Sequence, residues 1–160
     1  MKLLIGADHR GREPAERLTE RLRQQGHAVE CHIPGEGETS DYPDAAWAVA
    51  HAIAEKQADL AILLCGTGIG TSIAANKVHG VRAAVVHDEI TAELSRAHNN
   101  ANVICLSADL LGQRLIEKIV DRWLVTEFEG GRHERRLRKI EMIERMRPSD
   151  WASPRCSVIR

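Results

Sequence analysis

The sequence predicts a doubly wound α/β domain, with helices on both faces of a five-stranded parallel sheet in three αβα layers. Three observations predict it. Short apolar runs alternate with helical patterns along the chain, the mark of strand–helix–strand units joined by right-handed crossovers. The apolar residues are mainly aliphatic, with only 3% Phe, Trp and Tyr, which suits strands buried on both faces. At 160 residues the chain is long enough for one domain with its own core.

The elements follow in order. Leu3-Leu4-Ile5 reads as the first strand, ending at Gly6-Ala7-Asp8-His9. Residues 13–25 form a charged amphipathic helix that Gly26 stops, because glycine readily takes the left-handed conformation at a helix end. Ala28 to Ile33 is the second strand. Pro34 to Asp44 is a loop of Gly, Glu and Ser that carries Tyr42, and residues 44–56 form an alanine-rich helix. Leu60 to Leu64 is the third strand, running into Cys65-Gly66-Thr67-Gly68-Ile69-Gly70 and then small helix-compatible residues from Thr71 to Asn76. Val81 to Val86 is the fourth strand, 88–97 a helix, Asn102 to Leu106 the fifth strand and 109–126 a helix. After Gly130-Gly131 comes a last helix, about 132–146. The pattern is Rossmann-like, with one domain over 1–147 and a tail, 148–160, that has no clear periodicity.

Composition excludes several classes. Lys and Arg number 22 against 23 Asp and Glu, a net charge of −1. That argues against a general nucleic-acid or membrane-surface binder, and the scarce aromatics argue against a base-stacking surface. There is no apolar run of membrane-spanning length and no charged-then-apolar leader, so the expected location is cytoplasmic. Cys31, Cys65, Cys105 and Cys156 are far apart and form no CxxC pair, which argues against a zinc site or disulfide framework. No metal and no cofactor is expected.

The chemistry concentrates at residues 65–70. A buried strand, a glycine turn and a helix N-terminus gather free N–H groups beside one thiol. A cysteine at such a junction is expected to ionise readily and to face the ligand crevice. The motif lacks the GxGxxG spacing of a dinucleotide fingerprint and the Gly-Lys-Ser/Thr of a P-loop. Asp8 and His9 follow the first strand, and His98-Asn99-Asn100 end the helix after the fourth; with Cys65 they are expected on one rim of the sheet. Each has a plainer reading: Asp8 as a helix N-cap, His98 as a histidine favoured by the helix dipole, Asn99 and Asn100 as C-cap residues. Arg132 and Arg136, four apart in a charge run, share a helix face and could clamp a phosphate or simply be solvated.

GADH near the start, SDYPD at 40–44, CGTGIGTSIAANK at 65–77, RAHNNANV at 96–103 and EGGRH at 129–133 resemble the ribose-5-phosphate isomerase B family, which also includes galactose- and allose-phosphate isomerases. The resemblance runs in order from residue 1 to about 146. It implies an aldose–ketose isomerase working through an enediolate without a metal, with ribose 5-phosphate and ribulose 5-phosphate as the substrate pair. Cys65 would be the base, Thr67 would assist proton movement at the substrate oxygens, and His98 would open the furanose ring. The amides from Gly66 through Gly68 and Ile69 to Gly70 would stabilise the enediolate, and Asp8, His9, Asn99 and Tyr42 would line the sugar site. Arg132 and Arg136 would hold the phosphate. The resemblance also implies a homodimer or dimer of dimers with shared sites.

One departure stands out. The family usually carries a phosphate-binding arginine in the segment that here reads Ser107-Ala108-Asp109-Leu110-Leu111-Gly112. Asp109 would repel a phosphate dianion. Either Arg10, Arg114 or Arg135 compensates, or the sugar differs (allose, galactose or tetrose phosphate), or Asp109 caps the following helix. A non-catalytic sugar-phosphate-binding subunit is the reading from another class.

Overall fold

The computed structural model describes residues 1–146, so the predicted tail at 148–160 lies outside the described residues. The chain divides into two compact units, Met1–Glu129 and a second beginning at Gly130. In the first, β1 (Lys2–Ala7), β2 (Ala28–His32), β3 (Leu60–Cys65), β4 (Ala83–Val85) and β5 (Val103–Ser107) alternate with α1 (Arg12–Gln24), α2 (Tyr42–Ala54), α3 (Ile69–Ala75), α4 (Glu89–Ala97) and α5 (Gln113–Val125). All pairings are parallel, in the order β2-β1-β3-β5-β4. The second unit holds α6 (Arg132–Arg145).

Alternation of side chains along each strand builds two cores, one on each face. Leu3, Ile5, Ile62, Leu64, Ile104 and Leu106 point to α1, α4 and α5, where they meet Leu18, Leu22, Ala92, Ile116, Ile119 and Trp123. Leu4, Ala61, Leu63, Val103 and Cys105 point the other way, to α2 and α3, and meet Ala46, Val49, Ala50, Ile53 and Ala75. Small residues on that side let α2 lie close to the sheet: a Cβ on Gly6 would stand 2.6 Å from Val49 Cγ2. The predicted three-layer αβα fold is therefore the observed one. On the edge strand β2, Ala28, Glu30, Cys31 and His32 are exposed.

Two boundaries differ from expectation. Tyr42 is not in a loop but opens α2, with a proline in the first turn, where the missing N–H costs nothing and the fixed φ suits a helix. The last helix of the first unit begins at Gln113, not 109, and its N-cap is Gly112. Asp109 therefore does not cap it.

Trp123 is fully buried on α5, with Arg96 stacked 5.8 Å from its ring centroid. Its Nε1 has no hydrogen-bond partner among the described residues. Trp123→Ala is expected to destabilise the fold by about 3–5 kcal/mol. Trp123→Phe, which keeps an aromatic body and removes the unpaired donor, is expected to cost less than half of that. Urea denaturation of both variants checks this ordering.

Candidate active site

In the strand order β2-β1-β3-β5-β4 the winding direction reverses between β1 and β3. Ligands of such sheets collect at the carboxyl ends of the strands at this switch point. Asp8 follows β1 there, and Cys65 ends β3. The Asp8 N–H donates to the Leu64 carbonyl at 3.2 Å, tying the two ends together. The buried Asp8 carboxylate accepts from the Arg10 and Gly11 N–H groups at 3.0 and 2.9 Å. It orders the turn ahead of α1 but does not cap the helix, whose N-cap is Gly11 with no side-chain capping bond. His9 Nδ1 donates to the Ser40 carbonyl at 3.0 Å and fastens the loop before α2 to this rim.

The glycine turn is shaped around the sulphur. Cys65 is only 4% exposed, and its Sγ accepts from the Gly68 N–H at 3.1 Å, a contact that stabilises negative charge on sulphur. Gly68 has φ +77°, a left-handed conformation that a side chain would strain. The turn then enters α3 at Ile69. The Ile69 N–H donates to Thr67 Oγ1 at 3.3 Å, so two of the cradle N–H groups are engaged within the turn itself. Tyr42 lies over the start of α3: a Cβ on Gly70 would stand 2.6 Å from its ring. Sequence reasoning passed over Thr71, whose Oγ1 lies 3.5 Å from Cys65 Sγ. Its signal was its place three residues into a helix whose side chains lean back toward the N-terminus.

The loop after β5 is stitched to the same turn. Ala108 N–H donates to the Cys65 carbonyl at 2.8 Å, Asp109 N–H to the Gly66 carbonyl at 3.1 Å, and Ser107 Oγ to Gly66 O at 2.6 Å. Asp109 reaches across to Arg10: Nε donates at 3.0 Å and Nη2 lies 2.8 Å away, both at Oδ2. The hydrogen bond and charge of Asp109 push the Arg10 guanidinium above its usual value. Of the three arginines expected to compensate Asp109, the structure pairs Arg10 with it. The two side chains cover Gly66, where a Cβ would stand 2.9 Å from Asp109 Oδ2 and 3.2 Å from Arg10 Nε.

The expectation that His98 and Asn99 share a rim with Cys65 fails within one chain. Each helix of a parallel αβα sheet runs back against the strands, so its C-terminus lies at their amino ends. His98 is the C-cap of α4. The segment after it leads into the start of β5, where the Asn102 carbonyl accepts from the Ala61 N–H at 3.0 Å. From Ala61 to Cys65 the strand rises about 13 Å. His98 and Asn99 therefore belong to the amino rim, where His98 Nε2 lies 3.8 Å from Glu129 Oε2. Two arginines that sequence reasoning missed hold this turn. Arg82 donates to the Asn99 and Asn100 carbonyls at 3.1 and 2.8 Å, and Arg96 to Asn100 Oδ1 and the Ala101 carbonyl at 2.8 and 2.9 Å. Burial lowers the Arg96 pKa from its usual value, with Arg82 adding repulsion. Asn100 takes φ +44°, a helix-ending conformation that Asn tolerates.

In the second unit, Gly130 and Gly131, both at positive φ, open α6. Arg132 and Arg136 sit one turn apart on this helix, as expected. Arg132 Nε lies 3.3 Å from His133 Nε2, and Glu134 pairs with Arg138 at 2.6 Å. No helix among the described residues is long and apolar enough to cross a membrane.

Comparisons with known proteins add the chemistry of relatives. The sequence pattern of the Ribose/Galactose Isomerase family matches residues 3–140. Over 146 residues the chain is 41% identical to the ribose-5-phosphate isomerase B of Escherichia coli, covering 91% of this chain and 98% of that protein. It is 42% identical over 145 residues to the D-erythrulose-4-phosphate isomerase of Pectobacterium atrosepticum, covering 90% and 95%. The crystal structure of ribose-5-phosphate isomerase B from Mycoplasma genitalium with bound ribulose-5-phosphate is similar at a TM-score of 0.83 and 42% identity, covering 91% of this chain and 97% of that one.

The arginine clamp on the amino-rim turn has a measurable consequence. Arg82→Ala is expected to destabilise the chain by about 1–3 kcal/mol, the range for hydrogen bonds from a charged donor. Arg82→Lys should recover only part of that, because an ammonium cannot reproduce the guanidinium fork. An unchanged urea midpoint for Arg82→Ala would contradict the clamp.

Proposed function

The chain belongs to the Ribose/Galactose Isomerase family and is an aldose–ketose isomerase of sugar phosphates, and we propose that it interconverts D-ribose 5-phosphate and D-ribulose 5-phosphate through an enediolate. The observation that carries this reading is the Cys65 thiol, held at the switch point of the sheet with the Gly68 N–H on its sulphur. The relatives' names supply the substrate class.

In this reading His98 donates a proton to the ring oxygen as the C1–O bond breaks and the anomeric hydroxyl gives its own proton to water, which opens the furanose to the aldehyde. The Cys65 thiolate then removes the proton from C2 of the open-chain aldose and returns it to C1, while the hydroxyl proton of O2 passes to O1 with help from Thr67. Fixed N–H donors of the glycine turn stabilise the oxyanion, and losing one such donor typically costs about 3 kcal/mol of transition-state stabilisation. Asp8, His9 and Tyr42 orient the sugar, and Arg132 and Arg136 hold its phosphate. Because His98 and Asn99 lie on the rim opposite Cys65 in one chain, we assign them to the Cys65 site of a second copy. The working unit is then a homodimer, or a dimer of dimers, with each site built from two chains. A cytoplasmic location fits this role.

A second reading changes only the sugar. The Arg10–Asp109 pair beside Gly66 carries no net charge, and a relative of equal similarity is named for D-erythrulose 4-phosphate. A tetrose, allose or galactose phosphate is then the substrate.

Three experiments test these readings. Cys65→Ala should lower kcat by about 10²–10⁴-fold, the usual contribution of a general base, while ribulose 5-phosphate binding measured by calorimetry persists. Cys65→Ala and His98→Ala, each inactive alone, should regain about a quarter of wild-type activity when unfolded and refolded together, because half the dimers are mixed and each mixed dimer holds one intact site. No recovery overturns the assignment of His98 to the site of a second copy. Third, wild type and Asp109→Arg are assayed on a panel of sugar phosphates. Fast turnover of ribose 5-phosphate by the wild type, little changed in the variant, supports the pentose reading. Slow turnover that Asp109→Arg improves supports the changed sugar.

A further inference from the structure

Beneath the Cys65 turn lies a hydroxyl that the mechanism above leaves unused. Thr71 is fully buried. Its Oγ1 lies 3.5 Å from Cys65 Sγ and donates to the Gly68 carbonyl at 3.0 Å. A hydroxyl has one hydrogen and two lone pairs. With the hydrogen on Gly68 O, Oγ1 meets the sulphur as an acceptor, which suits a thiol. Rotation about the Cβ–Oγ1 bond alone turns the same hydrogen to the sulphur, which suits a thiolate. The Gly68 carbonyl keeps a partner when this happens, because it also accepts from the Ser72 N–H at 3.2 Å. Behind Thr71 sits Cys105, whose thiol is pushed up to about 12 by burial and stays protonated, with the Thr71 and Ser72 hydroxyls in hydrogen-bonding reach.

We propose that Thr71 is a positioning residue for the base, its hydroxyl swinging between the Gly68 carbonyl and the Cys65 sulphur so that either form of Cys65 keeps a hydrogen bond to Thr71 beside the one from the Gly68 N–H. The inference rests on reading Cys65 as the base. When the thiolate takes the substrate proton, a C–H bond breaks and an S–H bond forms. The new thiol donates to Thr71 Oγ1, and the hydroxyl hydrogen goes to Gly68 O. When the thiol returns the proton to the neighbouring carbon, the hydroxyl swings back to the sulphur. No proton is gained or lost overall. The hydrogen bond to a charged sulphur is the stronger of the two, so its loss disfavours the thiolate.

The test follows the pH dependence of iodoacetamide alkylation at Cys65, resolved by peptide mass spectrometry, in wild type, Thr71→Val and Thr71→Ser. Exposed Cys31 serves as the internal control. The midpoint of the curve reports ionisation, whereas its high-pH plateau reports access. Thr71→Val is expected to raise the midpoint by about one unit, so that alkylation at neutral pH slows about tenfold relative to the plateau. The acid limb of kcat/KM should move with it, and Thr71→Ser should restore both. Among the described residues, the charged and titratable groups packed on this turn from other elements are Asp8, Arg10, Tyr42, Cys105 and Asp109. All are retained, so the shift belongs to the hydroxyl. If Thr71→Val does not fold, Thr71→Ala carries the same expectation. A midpoint that stays at the wild-type value, or a Thr71→Ser shift as large as that of Thr71→Val, overturns the proposal. Full activity of Cys65→Ala would instead overturn the base reading, and the alkylation curves separate the two failures.

Discussion

The peptide that joins Cys65 to Gly66 is where the structure converges. The Cys65 carbonyl and the Gly66 carbonyl after it are the anchor points for the loop after β5, through the Ala108 and Asp109 N–H groups and the Ser107 hydroxyl. One residue earlier, the Leu64 carbonyl receives the Asp8 N–H from the loop after β1. Three strand ends are thus locked together by groups that leave no room for slippage, since a Cβ on Gly11 would stand 2.5 Å from Leu64 O. The parallel register of β1, β3 and β5 makes this possible. It sets Leu64 beside Ala7 and Cys65 beside Ser107. A thiol placed at the end of the central strand inherits the rigidity of two buried cores, which is what precise positioning of a reacting group requires.

Charge around this point is arranged by pairing. Arg10 and Asp109 sit over Gly66 as a mutually oriented pair, exposed enough that water screens them. Their value lies in geometry: Asp109 engages Nε and one Nη, which fixes the plane of the guanidinium. On the opposite rim the logic is reversed. Arg82 is close enough to disfavour the charge on Arg96, yet both spend their donors on carbonyls of the turn that ends α4. The cations there serve the backbone that carries His98 and Asn99.

Much of this was legible in the sequence, and the gaps have physical causes. Buried parallel strands are continuous apolar runs, so β1, β3 and β5 announced themselves, and Cys65 followed by glycines marked the junction. The sequence places Tyr42 in a loop because Pro43 reads as punctuation, although a proline in the first turn of a helix is favourable. The start of α5 was set too early because Asp109 looks like a cap. What claims its carboxylate is Arg10, 99 residues away in sequence. His98 and Asn99 were placed on the wrong rim because order along the chain says that a residue follows a strand, and only the return path of the crossover says at which end of the sheet it arrives. Thr71 escaped notice because its significance is a distance to a sulphur, and a one-dimensional pattern contains no distances.

The two outer strands of the sheet carry a consequence of their own. A parallel sheet that ends in open strands offers unpaired backbone groups to any neighbouring chain, the usual starting point for aggregation. Here one edge, β2, exposes Glu30 and His32, and Glu30 is tied to Lys2 at 3.0 Å. The other edge, β4, is only three residues long. Neither is a good template: the first would bring charged side chains face to face with their copies, and the second is too short to hold a partner strand. The chain therefore keeps a continuous apolar sheet at its centre while neither of its edges invites a further strand.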